Sequence, residues 1–378
     1  MRAISDRLDS TLEVIARGAE SADHEAAFPV EPMRALGNHG LLGLIVPEES
    51  GGLGGSPVEM VDAVSAVAGA CGSTAMVYLM HLSATVVIAA SPPAEGGDEL
   101  LRDLATGTRL GTLAFSERGS RSHFWAPVSR AERSPGGQVR IVADKSWVTS
   151  ASHADVYVTN CLSADPDPEG GTDLYLVDRT NPGVEVAGSF EGLGLRGNDS
   201  APVKLEVEVD ESARLGSAGD GFPLMMNAVL PWFALGNAAV SVGLSRSALN
   251  SAIEHASGQR FTHLDSTIAD LPTVRAYLAK AWTELAAHEA LLRETAAKVR
   301  DGEPDAVLAV LATKAGCNEV ALRVTETALR VVGGAGFSRH VGVDRPYRDA
   351  RAGFVMAPTS DALYDFVGRA LCGMELFE

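Results

Sequence analysis

Cysteine is scarce and scattered in this chain. Its four residues, Cys71, Cys161, Cys317 and Cys372, stand alone, without a CxxC pair or a Cys/His ligand spacing. That argues against a disulfide framework and against a metal site. Positive charge is also short, with 31 Lys and Arg against 49 Asp and Glu, a formal charge of -18. Such a balance repels nucleic acid and anionic lipid surfaces, so neither is an expected partner, and an anionic ligand requires locally placed arginines. The longest apolar stretch, Ala75 to Ala90, is broken by His81 and small polar residues, and no basic-plus-apolar signal opens the chain. The expectation is a cytoplasmic protein with no membrane insertion.

What is present is enough apolar material for a full core: 46% of 378 residues, a length that suits two or three subdomains. Apolar positions recur every three to four residues through Leu12, Ile15 and Ala16 and again from Val58 to Ala89, which predicts helices. From Leu110 the period changes to two. Strands are predicted at Leu110 to Phe115, Val139 to Val148, Val156 to Leu162, Leu174 to Val177 and Val203 to Val209, separated by turn clusters such as Ser134-Pro135-Gly136-Gly137. After about Gly216 the helical period returns, near Leu224 to Ser257, Thr273 to Arg300, Asp305 to Val332 and Ser360 to Cys372. Pro231 is expected to split the first of these. Helices, then strands, then helices is the order of an α+β protein rather than a doubly wound sheet. The boundaries are set at 1–108 for an N-terminal helical domain, 109–215 for a central β domain and 216–378 for a C-terminal helical bundle.

Gly51-Gly52-Leu53-Gly54-Gly55 has the glycine content of a phosphate loop but neither a preceding strand nor a Lys-Ser/Thr pair, so it reads as a structural turn. Three other segments carry more. The tail reads Gly333-Gly334-Ala335-Gly336-Phe337, then Arg348-Asp349-Ala350-Arg351, then Ala357-Pro358-Thr359-Ser360. In the centre stand Phe115-Ser116-Glu117 with Ser122, and Trp147-Val148-Thr149-Ser150; between them and the tail lies Gly258-Gln259-Arg260-Phe261. Each has a plain structural reading: Trp147 as a strand aromatic, Arg260 as a solvated arginine, Arg348 to Arg351 as an ion-pair network, and Thr359 or Ser360 as a helix cap.

Together these segments resemble the acyl-CoA dehydrogenases, whose tail reads Q-x-x-G-G-x-G-[YF], R-D-A-[RK] and Y-E-G-T-[SA]. The central segments resemble that family's [LV]-T-E-P-x-x-G-S-D and W-I-[TS]-N, with Ser116, Arg118, Arg121 and His123 at the places of Thr, Pro, Gly and Asp. The resemblance covers nearly the whole chain. It implies the family fold (N-terminal helical domain, central β-barrel-like domain, C-terminal four-helix bundle) and FAD as cofactor, with an acyl-CoA or acyl-carrier-protein thioester as substrate. It also implies a homodimer or homotetramer, with a hetero-oligomer as the alternative. The cofactor would be held by Phe115, Ser116, Ser122, Trp147 and Thr149, by Arg260, Arg330, Gly333 and Gly334 reaching a neighbouring subunit's FAD, and by Thr359 and Asp361 at a helix N-terminus.

The family's proton-abstracting glutamate falls on Ala357. Its alternative place on the bundle helix falls on Phe233, with Ala234 beside it. Three readings therefore stand. One is a dehydrogenase acting on the Cα–Cβ bond with a non-standard base, for which His81, His123 and Asp361 are the polar candidates. The second is a flavin-dependent monooxygenase of the same fold, and the third is a base-less subunit of a hetero-oligomeric dehydrogenase.

Overall fold

The computed structural model describes residues 4–120, 123–165, 171–263 and 265–376. Among these residues, five helices come first: α1 (Ile4–His24), α2 (Val30–Asn38), α3 (Pro57–Ala70), α4 (Gly72–Ala90) and α5 (Gly97–Thr106). The start of α3 is set by a capping box, in which the Ser56 hydroxyl accepts from the Glu59 N–H while the Glu59 carboxylate accepts from the Ser56 N–H at 2.7 Å. Helix α4 is covered on nearly every side, 78% of its most apolar window being buried in the protein, so its hydropathy is that of a core helix. The Gly51 to Gly55 turn directs its N–H groups inward: those of Gly52, Gly54 and Gly55 donate to the carbonyls of Pro47, Val46 and Leu44. None of these three remains for a phosphate.

Eight strands follow among the described residues: β1 (Gly111–Ala114), β2 (Arg130–Arg133), β3 (Val139–Val148), β4 (Val156–Leu162), β5 (Thr172–Asp178), β6 (Val184–Val186), β7 (Ala201–Val209) and β8 (Arg214–Leu215). They form one sheet in the order β6-β7-β3-β2-β4-β5-β8, with β1 pairing in parallel on β4. Ile141 faces Val207 and Ala143 faces Leu205 across the β3/β7 ladder, so the two strands turn the same apolar face to the core. The ladder slips between Lys145 and Val148. That bulge turns Trp147 out of the sheet, a use for which bulges are suited. The short strands β2, β6 and β8 have no period-two signal to read; β2 buries only Ala131.

The bundle comprises α6 (Gly221–Leu224), α7 (Leu230–Gly258), α8 (Pro272–Asp301), α9 (Ala306–Val332), α10 (Asp344–Asp349) and α11 (Ser360–Leu371), with the small hairpin β9 (Arg260–Phe261) and β10 (Ser266–Thr267) between α7 and α8. A wide π turn, Met225–Val229, joins α6 to α7. Pro231 lies just after it, where the first turn of α7 has no need of its N–H. The helix runs on without a break from Gly221 to Gly258, so the split expected at this proline is absent and only a widened π turn precedes it. At Gly243 of α7 a Cβ would stand 2.2 Å from the Ser65 carbonyl oxygen, so only glycine lets α3 cross α7 this closely.

Candidate active site

A cavity of about 680 Å³ lies where the sheet, α4, the π turn and the tail converge. This is within the usual range of small-molecule sites. One wall is made by Phe115, Ser116 and Glu117 after β1, with Ser146, Trp147 and Thr149 from the end of β3. The inner end is apolar, formed by Met76 and Met80 of α4, Leu113, Phe124, Val229 and Phe233. Phe190, Leu193 and Leu195 border it on the loop before β7, and Arg348, Arg351, Met356 and Ala357 come from the tail.

The sheet wall is built to hold a side chain in an unusual posture. Trp147 has φ +57°, a left-handed conformation that costs about 1–2 kcal/mol for a non-glycine residue. Its indole is 67% exposed and meets the edge of Phe190, with ring centroids 6.5 Å apart. The Ser146 N–H donates to the Ser116 carbonyl at 2.8 Å, which ties the two segments together. Thr149 is buried, its Oγ1 2.9 Å from the Ser200 hydroxyl.

Glu117 borders the cavity but is fully engaged. Its Oε1 accepts from Lys145 Nζ at 2.5 Å and from the Ser129 hydroxyl; its Oε2 accepts from the N–H groups of Val128 at 2.6 Å and Ser129 at 2.9 Å. Burial pulls this carboxyl upward, but Lys145 and the hydroxyl and amide donors outweigh it and hold it below its usual value. Lys145 in turn donates to the carbonyl and side-chain oxygens of Asn160. The result is a satisfied buried network rather than a free base.

On the tail side, Arg348 grips Asp23 of α1 with both Nη atoms, at 2.7 and 2.6 Å, and Asp344 at 2.9 Å. Asp349 is buried, accepts from the Leu195 N–H at 2.6 Å, and is pushed up to about 6 by burial. Arg351 lies 3.6 Å over the Tyr347 ring and donates to Thr325. Arg348 to Arg351 is thus the interaction network that its plain reading predicts, and both arginines also face the cavity.

Of the residues predicted to hold a cofactor, Phe115, Ser116, Trp147 and Thr149 meet at this cavity. Ser122 lies outside the described residues. Arg260 sits in the β9/β10 hairpin paired with Asp265 at 2.6 Å, and Arg330 stands over the Tyr277 ring. Gly333 and Gly334 open a turn that ends at Phe337, 91% exposed. Thr359 caps α11 by accepting from the Ala362 N–H, and Asp361 is exposed on its first turn. None of these six lines the cavity of its own chain.

The base candidates need correction. His81 is fully buried in α4, with Nε2 3.2 Å from the Leu42 carbonyl and Nδ1 accepting from the Gly111 N–H; burial pushes it down to about 4. It is a neutral core histidine with both nitrogens engaged. His123 stacks on Trp125, ring centroids 5.0 Å apart, and like Asp361 is outside the cavity lining. Phe233 and Ala357, by contrast, both line it. Sequence reasoning missed Met76, Met80, Val229 and the Phe190 to Leu195 loop. An all-round apolar helix such as α4 gives no sign of which face meets a cavity, and the loop has no periodic pattern at all.

Models of the N-terminal, middle and C-terminal domains of acyl-CoA dehydrogenases match residues 7–108, 112–207 and 219–372. The chain is 29% identical over 371 residues to the probable acyl-CoA dehydrogenase YngJ of Bacillus subtilis, covering 96% of this chain and 95% of that protein. Its fold superposes on the butyryl-CoA dehydrogenase of Megasphaera elsdenii with a TM-score of 0.91 at 22% identity, over 98% and 99% of the two chains. It superposes on FMN-bound TdsC of Paenibacillus sp. A11-2 with a TM-score of 0.87 at 23% identity, over 97% of each.

Proposed function

Because the chain belongs to the acyl-CoA dehydrogenase family, whose members are FAD-dependent oxidoreductases, we propose that it uses FAD to oxygenate an acyl thioester rather than to dehydrogenate it. The observation that carries this reading is the pairing of Phe233 and Ala357 on one cavity that presents no free base among the described residues. Removing a proton from Cα requires an acceptor within reach. Among the described residues, the titratable ones along the cavity are Glu117, whose oxygens are all engaged, and Arg348 and Arg351, whose guanidinium groups offer donors and no acceptor.

The residues present suit a flavin. The bared Trp147 indole supplies an aromatic face, and Ser116, Thr149 and Ser200 supply hydroxyls around it. When bound, reduced FAD supplies two electrons to O₂, one oxygen atom entering the substrate and the other leaving as water. The chain's own part is to hold the acyl group among Met76, Met80, Leu113, Phe124, Val229 and Phe233 and to keep bulk water from it. Either CoA or a carrier protein suits the substrate role. Arg260, Arg330, Gly333, Gly334, Thr359 and Asp361, placed away from their own cavity, fit contacts to a cofactor held by a neighbouring subunit, and hence a dimer or tetramer.

The test uses FAD-loaded protein. With butyryl-CoA or octanoyl-CoA under argon the flavin should keep its colour. Reduced and exposed to ¹⁸O₂ with the same thioesters, the protein should yield a product two mass units heavier than with ¹⁶O₂. Rapid anaerobic bleaching would sink the reading in favour of dehydrogenation, which the similarity to dehydrogenases over the whole chain makes the second reading.

A further inference from the structure

Lys314 of α9 is fully buried, and no carboxylate among the described residues pairs with it. Its ammonium donates to the carbonyls of Met356, at 3.1 Å, and Pro358, at 2.8 Å, the two residues flanking Ala357. One turn further along α9, Asn318 donates to the Gly353 carbonyl at 2.9 Å and accepts from the Ser241 hydroxyl of α7 at 2.7 Å. Asn237, one turn before Ser241 on α7, reaches the Met356 sulfur at 3.3 Å. Two bundle helices thus direct a buried polar row at one irregular segment, Gly353 to Pro358. Gly353 fits against it because a Cβ there would lie 2.8 Å from Asn318 Oδ1 and 2.9 Å from Ser241 Oγ.

Burying an unpaired ammonium is costly, and an apolar side chain of similar length would serve the bundle core better. What the amine alone provides is two hydrogen bonds that hold the peptide groups on either side of Ala357. Met356 and Ala357 are wall residues of the cavity. We propose that Lys314 is a positioning residue: it holds the Met356 to Pro358 wall against the bundle and so sets the face that the tail presents to a bound flavin and substrate. The flavin part of this statement rests on the function proposed above; the mechanical part does not.

The two parts are read separately in K314M and K314Q. Hydrogen exchange of the purified protein without added flavin reads the wall. The amides of residues 353–360 should exchange at least ten-fold faster in K314M, with K314Q intermediate because its amide still serves one carbonyl, while α8 and the β sheet exchange as in the wild type. Visible circular dichroism of added FAD reads the cavity, and its bands should change in K314M and return part-way in K314Q. Unchanged exchange at 353–360, or loosening spread evenly through α7 and α9, overturns the proposal. So does failure of both variants to fold, which would make Lys314 a folding residue. If FAD does not bind the wild type, the flavin reading falls while the exchange result still decides the role of Lys314.

Discussion

Phe233 on the first turns of α7 and Ala357 in the tail, far apart in sequence, line the same cavity. By the motif resemblance each stands where the acyl-CoA dehydrogenases carry a carboxylate, and neither side chain can accept a proton.

Restoring one carboxylate should therefore restore the missing chemistry. Ala357→Glu is expected to let octanoyl-CoA bleach the bound flavin under argon at least ten-fold faster than in the wild type. Stopped-flow absorbance near the flavin maximum measures it. A variant no faster than the wild type would show that position 357 does not face the substrate.

Trp147 is held in a left-handed conformation with an exposed indole, so its packing contributes little to the fold. Trp147→Gly relieves the backbone strain and loses mainly the Phe190 contact. Stability should stay within about 1 kcal/mol of the wild type. FAD affinity should fall at least ten-fold by fluorescence titration, and an unaltered affinity would remove Trp147 from the flavin wall.

Arg348 and Asp23 clasp the tail to α1, and breaking them leaves a poorly exposed charge alone. Arg348→Met is expected to cost about 3 kcal/mol in urea denaturation. Burial raises the Asp23 carboxyl, but Arg348 prevails and holds it below 3.8. A depressed carboxyl contributes stability in full above its unfolded value and loses it as pH falls through the folded one. The gap between wild type and Asp23→Asn should shrink as pH drops below about 4; a constant gap would mean that the pair contributes nothing.

Lys314 has the opposite sign of burial effect, pushed down from 10.5 to about 7. Its depressed folded value means that stability is greatest above 10.5 and is lost as pH falls toward 7, because the unfolded chain binds the proton more readily. Relative to Lys314→Met, the wild type should gain about 2 kcal/mol between roughly pH 7.5 and 9. Parallel pH curves for the two proteins would show that Lys314 is charged in the fold throughout.

Much of the architecture was legible in residue spacing. Strands β3 and β4 begin and end where alternation predicts, and α8 and α9 fall within a residue or two of their periodic segments. The Gly51 to Gly55 turn was readable for the same reason, since glycine backbone freedom acts locally, whereas the break expected at Pro231 was not found. The histidines were not readable. His81 and His123 are identical as letters, yet one is sealed in a helix core and the other stacked on Trp125, which depends on what packs around each.

The sequence by itself determined the helix, strand, helix order, the longer strands and bundle helices within it, and the apolar identity of the residues at positions 233 and 357. Those properties follow from side-chain period and residue type, which are written along the chain. Only the tertiary structure decided that Phe233 and Ala357 share a cavity, that Glu117 is occupied by Lys145, and that Lys314 stands behind the tail. Each is a contact between distant segments, set by how helices and sheet pack rather than by any local preference.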